Sequence, residues 1–453
     1  MSEQISFENI YSHETDAYNL PGFVPQIVDK AYLDRLGVDV VPSEATLNAM
    51  TEGSKVFIRR YENKKVIPKS QAHFENVDPE HETTIIHNYT GRCPTLTFEI
   101  NPVRGCEVGC QYCLVTDGVH EQPLVIYENY HLYVRHLLKE MNGTPEKEVT
   151  EEDIKKKDAL LGELARAIES EPQKKAEIEQ KIVELSRGKN WNHYYYFSPK
   201  TEALQEPTLL TGLAHKILRE FIAHFEEYPD SNARLFIASK AGIKHLEVKD
   251  ENGESILDLF EKLKGKMQYN TSVSMMPTEF RNILEPYAAP LEDRLKAVKA
   301  CQERGIQANS ALIQPIFVPC LTDEYIHEFF DALKEVGIIN YKPEFLTACM
   351  ENLVMLGQWL GHFDKTLEKQ LYEAYIMPSN ADHKKQRGRT APDRGASIEN
   401  IKKMMAYTDS IGITTSICYW VRKQLGISGV MIPLINSNGF QCLGYQSKLF
   451  EKS

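Results

Sequence analysis

Residues 95–113 read TLTFEINPVRGCEVGCQYC, an apolar stretch followed at once by three closely spaced cysteines. The β-branched and aromatic residues in the first half of this stretch predict a strand over 95–103. Nine cysteines occur in 453 residues, so three within one short loop indicate a shared role. The loop cysteines are Cys106, Cys110 and Cys113, and the others are Cys93, Cys301, Cys320, Cys349, Cys418 and Cys442. The scatter of the second set predicts no disulfide framework.

From residue 95 onward, strand and helix patterns alternate. The predicted strands are 95–103, 193–199, 233–239, 267–274, 306–317 and 341–348, and the predicted helices are 127–141, 213–227, 254–263, 291–305 and 324–337. Six βα units in succession predict an α/β fold with a parallel sheet, curled into a partial (βα)6 TIM-like barrel. In such folds chemistry lies at the carboxyl ends of the strands, which is where the cysteine loop falls.

The bounds of the alternating region divide the chain into three predicted parts. A barrel domain covers residues 93–350, with an N-terminal extension, 1–92, and a C-terminal extension, 351–453. A highly charged insertion, 142–190, interrupts the barrel domain. Its sparse apolar residues and its central proline predict a helical hairpin, which is either a solvated insertion or a docking arm for a partner.

The C-terminal extension contains one more strand pattern, TTSICYWVRK at 414–423. A strand at this position would close or cover the barrel. It would also offer Tyr419 and Arg422 to a substrate held at the barrel mouth.

Composition and charge restrict the partners. A hydrophobic fraction of 42% supports a sizeable core, and no run of about 18 apolar residues predicts a membrane span. The N-terminus lacks the basic and apolar regions of a signal peptide, which favours a cytoplasmic location. The net charge of −12 gives nucleic acid no general electrostatic reason to bind. One basic stretch remains, DHKKQRGRTAPDRG at 382–395, with Lys384, Lys385, Arg387 and Arg389.

Three interpretations of the cysteine loop compete. The cysteines are structural, or they bind zinc, or they hold an iron–sulfur cluster. A zinc site needs a fourth ligand, for which Cys93 or His120 is available, but C-x3-C-x2-C is not a usual zinc spacing. Iron–sulfur clusters are held by cysteine thiolates, and three thiolates leave one iron of a four-iron cluster without a protein ligand. Gly105 and Gly109 would allow the positive φ that a tight loop around such a cluster needs.

The spacing C-x3-C-x2-C, with Tyr112 before the last cysteine, resembles the radical SAM superfamily. The resemblance implies a [4Fe-4S] cluster on Cys106, Cys110 and Cys113 whose open iron binds S-adenosylmethionine (SAM). It implies one-electron cleavage of SAM to methionine and a 5′-deoxyadenosyl radical, chemistry for which these cofactors are used. It also implies that Tyr112 packs beside the adenine and that an electron donor such as flavodoxin or ferredoxin serves the cluster.

The stretch 194–317 resembles the spore photoproduct lyase branch of that superfamily. Where relatives carry a Gly-Gly-Glu-like motif for the SAM amino group, this chain reads FSPKTEALQEP, 197–207. The cofactor-binding residues that the resemblance implies are Ser198, Thr201, Glu202, Ser239, Lys240, Ser272, Ser274 and Arg294. Of these, Lys240 would pair with the methionine carboxylate, and Arg294 stands after the fragment LEP, as the branch's arginine does.

The chain departs from the lyase branch in two features. It lacks the basic surface that binding of duplex DNA calls for, and it lacks a cysteine that the branch uses. That branch uses a cysteine some forty residues after the cluster loop as a hydrogen donor, and this chain has no cysteine between 114 and 300. Cys320 and Cys349 follow the fifth and sixth strands and are the candidate catalytic hydrogen donors, or else ligands of an auxiliary cluster. The acidity of the chain argues against duplex DNA, and the lack of a paired C-x2-C pattern outside the cysteine loop argues against a ribosomal peptide. We therefore expect a small organic substrate, such as a sugar, nucleoside or amino-acid-derived metabolite. The alternatives are nucleic-acid repair or modification, and a non-enzymatic zinc- or cluster-binding protein.

Overall fold

The computed structural model describes residues 5–6, 10–11, 20–63, 71–78, 97–113, 124–142, 150–166, 172–186, 193–376 and 389–417. Several residues that the sequence singles out lie outside these ranges: Cys93, His120, Lys384, Lys385, Arg387, Cys418, Tyr419, Arg422 and Cys442.

The strands are β1 (Ile5–Ser6), β2 (Gln71–Glu75), β3 (Thr97–Ile100), β4 (Val103–Arg104), β5 (Leu124–Tyr127), β6 (His193–Phe197), β7 (Ala233–Ser239), β8 (Met267–Met275), β9 (Gln307–Ile316), β10 (Asn340–Phe345), β11 (Ala348–Cys349), β12 (Arg389–Thr390) and β13 (Thr414–Thr415). The helices are α1 (Lys30–Leu36), α2 (Glu44–Glu62), α3 (Tyr130–Asn142), α4 (Glu151–Arg166), α5 (Pro172–Ser186), α6 (Glu206–Leu210), α7 (Leu213–Glu227), α8 (Ile243–Leu246), α9 (Ile256–Lys262), α10 (Thr278–Leu284), α11 (Leu291–Glu303), α12 (Asp323–Glu335), α13 (Met350–Phe363), α14 (Lys365–Tyr375) and α15 (Arg394–Ile411).

The central sheet has seven strands in the order β13-β10-β9-β8-β7-β6-β3. All six neighbouring pairs are parallel. This confirms the predicted α/β fold with a parallel sheet. Neighbours in the sheet follow one another along the chain, as a partial barrel requires. Within the described residues β3 and β13 are the two edges and do not pair, so closure into a TIM-like barrel stays a prediction.

The two faces of the central sheet differ in chemistry. On β8, Tyr269 and Val273 belong to the main core beneath the surrounding helices. The alternate residues Asn270, Ser272 and Ser274 therefore point to the opposite face, because successive side chains of a strand alternate. That opposite face also carries a small apolar cluster of Tyr194, Phe236 and Leu312. A polar, enclosed face of this kind suits a bound ligand more than a packing partner.

The two chain extensions share a second core. Helix α13 packs against α2 and α14, and Phe57 of α2 meets Trp359 of α13 edge to face. Tyr32 of α1 donates a hydrogen bond to Glu368 of α14 over 2.6 Å. Residues 20–63 and 350–376 thus form one layer, although more than 280 residues separate them along the chain.

Two smaller units complete the fold. A four-stranded sheet has the order β1-β2-β5-β4, and β11 pairs with β12. The charged insertion forms the predicted hairpin of α4 and α5, which pack on each other. Ile178 and Ile182 of α5 are buried in the main core, so the hairpin rests on the domain; its use as a docking arm stays a prediction. No described helix has both the length and the apolar character that crossing a bilayer requires.

Acid is expected to destabilise the protein through His224 of α7. Burial lowers the pKa of this imidazole to about 4, and its Nε2 lies 2.7 Å from the hydroxyl of Ser231. Above the ordinary pKa near 6.5 the ring is neutral in both states, but below it the unfolded chain takes up a proton that the folded chain refuses. Between pH 6.5 and 4 the free energy of unfolding should therefore fall by about 3 kcal/mol. Chemical denaturation across this pH range should show that the free energy of unfolding falls less with decreasing pH in His224→Gln than in the wild type. The same pH dependence in both proteins would contradict this role of His224.

Candidate functional site

The cysteine loop follows β3 and β4 at the carboxyl end of the first strand of the sheet. Gly105 and Gly109 have φ of 96° and 64°, which confirms the prediction that these glycines allow positive φ. The backbone N–H of Cys113 donates to the carbonyl of Cys110 over 3.0 Å, and that of Gln111 donates to Leu284 over 2.9 Å. The loop is therefore anchored both to itself and to the end of α10.

Cys110 is buried, whereas Cys106 and Cys113 are half-buried. Burial raises the pKa of Cys106 well above its usual value, and the neighbouring Cys110 and Cys113 raise it further. Burial also raises the pKa of Cys110 to about 12, against the lowering effect of Lys240. The six described cysteines form no disulfide with one another, as the sequence predicts. Within the described ranges, no three His, Cys, Asp or Glu side chains meet at a point that suits a single metal ion.

Glu202 ties together the ends of β6 and β7. Its carboxylate accepts hydrogen bonds from the Ser239 hydroxyl at 2.5 Å, the Lys240 backbone N–H at 2.7 Å and the Leu204 N–H at 3.1 Å. The structure thus brings the predicted residues Glu202, Ser239 and Lys240 together. A carboxylate has about four acceptor positions, so protein donors already use most of those on Glu202.

Ser198 and Thr201 stand beside Glu202 in the same loop, with hydroxyls that the protein does not satisfy. Both hydroxyl oxygens are buried without a hydrogen-bond partner in the described part of the chain. Ser198 also has φ of 54°, a left-handed conformation that is uncommon for a residue other than glycine. Buried unsatisfied hydroxyls are rare in folded proteins, and a strained backbone often marks a functional site.

Lys240 points toward the cysteine loop. Its Nζ lies 6.0 Å from the centre of the Tyr112 ring and donates a hydrogen bond to the Ser272 hydroxyl over 3.1 Å. Burial alone would lower the pKa of Lys240, but Cys110 and Glu285 outweigh it and the pKa is raised. The ammonium is therefore a half-buried positive charge beside the cysteine loop.

Glu285 is a site residue to which sequence reasoning assigned no role. Its carboxylate accepts hydrogen bonds from the Tyr112 hydroxyl and from the Arg294 guanidinium, and the side chains of Glu285 and Arg294 are both 1% exposed. Burial would raise the pKa of Glu285, but Arg294, Lys240 and the Tyr112 hydroxyl hold it at about 2. The signal was present in the fragment LEP, nine residues before Arg294.

Arg294 uses its whole guanidinium within the protein. Besides Glu285, it donates to the carbonyls of Ala289 over 2.7 Å and Ser272 over 3.1 Å. The predicted cofactor residue therefore holds the end of β8 against the Glu285 carboxylate. Its contact with the rest of the site runs through Glu285 and Tyr112.

The remaining predicted residues lie at strand ends further along the sheet. Ser274 is fully buried near the end of β8 and its hydroxyl has no hydrogen-bond partner among the described residues. Cys320 ends a 3-10 turn after β9 and belongs to the same core cluster as Tyr112. Cys349 precedes α13 and is partly exposed.

Comparisons with known proteins found one curated relative and one solved structure, and each match covers 34% of this chain. No protein-family model matches the chain. The chain is 26% identical over 164 residues to the uncharacterized protein ORF301 of Acidianus two-tailed virus, a match that covers 34% of this chain and 54% of that protein. The chain thus spans about half the length of this curated relative.

A solved structure was also found. It is that of TsrM, a radical S-adenosylmethionine methyltransferase from Kitasatospora setae with cobalamin and a [4Fe-4S] cluster bound. The match has 18% identity and a TM-score of 0.24, and it covers 34% of this chain and 25% of TsrM. A TM-score this low carries no argument about fold or function, and neither comparison points to the spore photoproduct lyase branch.

Proposed function

We propose that this protein is a radical SAM enzyme acting on a small organic substrate. One observation carries the proposal: three closely spaced cysteines follow the first strand of a sequentially ordered parallel sheet. At the adjoining strand ends stand a half-buried ammonium, that of Lys240, and buried hydroxyls that have no hydrogen-bond partner among the described residues. In parallel α/β folds the carboxyl ends of the strands are where ligands bind.

The cysteine loop fits a [4Fe-4S] cluster. Cys106, Cys110 and Cys113 would hold it, and Gly105 and Gly109 let the backbone turn tightly around it. Ligands of a multi-iron cluster bind different iron atoms and need not meet at one point, as they must around a single zinc ion. When bound with SAM, such a cluster supplies one-electron cleavage of the sulfonium, which yields a 5′-deoxyadenosyl radical.

The chain's own residues fit the amino-acid end of SAM. The unsatisfied hydroxyls of Ser198 and Thr201 would accept hydrogen bonds from the amino group, and Glu202 supplies the compensating negative charge. The Lys240 ammonium would pair with the carboxylate of SAM. To do so it must give up its hydrogen bond to the Ser272 hydroxyl or keep that bond alongside the new one. Tyr112, held by Glu285, would offer its ring to the adenine.

Removing both hydroxyls from the loop after β6 should weaken SAM binding. In the variant Ser198→Ala/Thr201→Val we expect the Kd of SAM to rise about a hundredfold or more, since each of the two hydrogen bonds to a charged group contributes about 1.5–3 kcal/mol. Equilibrium binding of SAM to the anaerobically reconstituted protein measures this. Thr208→Val is the control, because the Thr208 hydroxyl already bonds the carbonyls of Ala203 and Gln205. Equal effects in both variants would contradict the assignment.

The substrate would lie against the polar face of the sheet. Lys342 and Glu344 stand there on β10, 3.9 Å apart, and Gln314 of β9 donates to Glu344 over 2.8 Å. Cys320 or Cys349 would return a hydrogen atom to the product radical. The net charge of −12 argues against duplex DNA as the substrate, and a small redox protein such as flavodoxin or ferredoxin would donate the electron.

The experiment that tests the function is anaerobic reconstitution with iron and sulfide, followed by SAM and a strong reductant. The proposal predicts 5′-deoxyadenosine as a product, at a yield that a metabolite pool containing the substrate raises. Absence of 5′-deoxyadenosine from fully reconstituted protein would overturn it. A protein that instead binds zinc alone, with no activity on SAM, would be the non-enzymatic binding protein.

A further inference from the structure

Arg281 of α10 is a buried cation that the protein does not fully satisfy. The residue is 3% exposed. Its Nη2 donates to the carbonyls of Met276 over 2.7 Å and Ser274 over 3.3 Å. Its Nε and Nη1 are buried and have no hydrogen-bond partner in the described part of the chain. Two guanidinium nitrogens thus remain available beyond the carboxyl end of β8.

Within the described residues, the hydrogen bonds that Arg281 donates go to backbone carbonyls and not to a carboxylate. The charge of Glu285 acts on Arg281, but that carboxylate is already bonded to Arg294 and Tyr112. Accordingly, burial lowers the pKa of Arg281 in spite of the attraction of Tyr325 and Glu285. An unpaired buried charge costs several kcal/mol, so this arrangement is stabilised when an anion arrives.

A second group converges on the same place. The hydroxyl of Tyr325, in the first turn of α12, is buried and lies within reach of the Arg281 guanidinium, but among the described residues it has no partner of good hydrogen-bond geometry. Burial raises the pKa of Tyr325, the Arg281 guanidinium lowers it, and Cys320 raises it again. The guanidinium, the phenol and the Cys320 thiol are therefore neighbours at the ends of β8 and β9.

We propose that Arg281 and Tyr325 form a receptor for an oxyanion group, a carboxylate or a phosphate, carried by the substrate. A guanidinium presents parallel N–H donors that match the two oxygens of such a group, and the phenol adds a third donor. The assignment to the substrate rests on the proposed function. It places the anionic end of the substrate next to Cys320, one of the two candidate hydrogen donors.

Cys320 and Tyr325 belong to the segment 318–325, in which every residue except Cys320 is partly or fully exposed. Solvent therefore borders the segment that carries the phenol. Ser274, whose carbonyl receives Nη2, adds a further buried hydroxyl without a partner among the described residues.

Binding of free anions to the whole protein tests the receptor. Inorganic phosphate and acetate are titrated separately by calorimetry at constant ionic strength, with chloride as the blank. We expect saturable binding of one of them, about tenfold weaker or more in Arg281→Gln and weaker by a smaller factor in Tyr325→Phe. Phosphate binding would indicate a phosphorylated substrate, and acetate binding a carboxylated one.

The matched control is Arg234→Gln. Arg234 is also a buried arginine that donates to backbone carbonyls, those of Ser231 and Ala233, but it begins β7 at the opposite end of the sheet. Its replacement should leave anion binding unchanged. No saturable binding in the wild type, or equal affinity in Arg281→Gln, would overturn the receptor.

The test is independent of the cluster, since it measures anion binding without SAM or a reductant. If an anion binds at Arg281 and no 5′-deoxyadenosine forms, the proposed function fails and the anion site stands. If SAM is cleaved and no anion binds, the proposed function stands and the anion site fails.

Discussion

Replacement of Cys110 by alanine is expected to remove the iron and to abolish cleavage of SAM. Cys110 is the middle and most buried cysteine of the loop and a proposed ligand of the cluster, with the Cys113 N–H donating to its carbonyl. Loss of an outer partner of a metal ligand typically costs 10–100-fold in affinity or activity. Removal of a ligand itself should exceed that range. The measurement is iron and sulfide per chain after anaerobic reconstitution, followed by the yield of 5′-deoxyadenosine.

Cys301→Ala is the matched control for Cys110→Ala. Cys301 is a fully buried cysteine of α11, away from the loop. Its replacement leaves a small cavity and a cost of about 1 kcal/mol in stability, but it should leave the iron content unchanged. Full iron content and activity in Cys110→Ala would refute the role of the loop.

Replacement of Glu285 by glutamine is expected to cause the largest loss of stability. The neutral amide would leave the buried Arg294 without its counter-ion and would weaken the hydrogen bond from Tyr112. Breaking a buried ion pair from one side typically costs about 3–5 kcal/mol. The free energy of unfolding, obtained from urea denaturation of the cluster-free protein, measures the effect without any contribution from iron.

Glu261→Gln is the control for Glu285→Gln. Glu261 also pairs with an arginine, Arg304, but the two side chains are 46% and 36% exposed. Its replacement should cost about 1 kcal/mol or less, because exposed ion pairs contribute little. Similar losses in both variants would show that Glu285 and Arg294 do not form a strongly coupled buried pair.

The βα alternation could be predicted from the sequence because its signals are local. The predicted helix 213–227 and strand 233–239 have the bounds that the structure gives. Apolar residues at helical spacing and short β-branched runs carry this information within each element. The position of the cysteine loop after the first strand follows from the same local pattern.

The hydrogen bonds between the site residues could not be predicted, because they join segments that are distant along the chain. Tyr112 and Glu285 form a hydrogen bond although they are 173 residues apart in the sequence. The sequence around either residue contains no pattern that predicts this contact. The shared core of α2 and α13 was missed for the same reason. Sequence reasoning also treated Glu202 and Arg294 alike as cofactor residues, whereas the structure has protein groups using most of their hydrogen-bonding capacity.

The proposed chemistry requires that the three loop cysteines hold a cluster with one iron open to SAM. Electron paramagnetic resonance of the reduced, reconstituted protein with and without SAM tests it most directly. The account predicts about four iron and four sulfide per chain and a cluster spectrum that changes when SAM is added. A protein that binds no iron–sulfur cluster, or a cluster spectrum that SAM leaves unaltered, would contradict it.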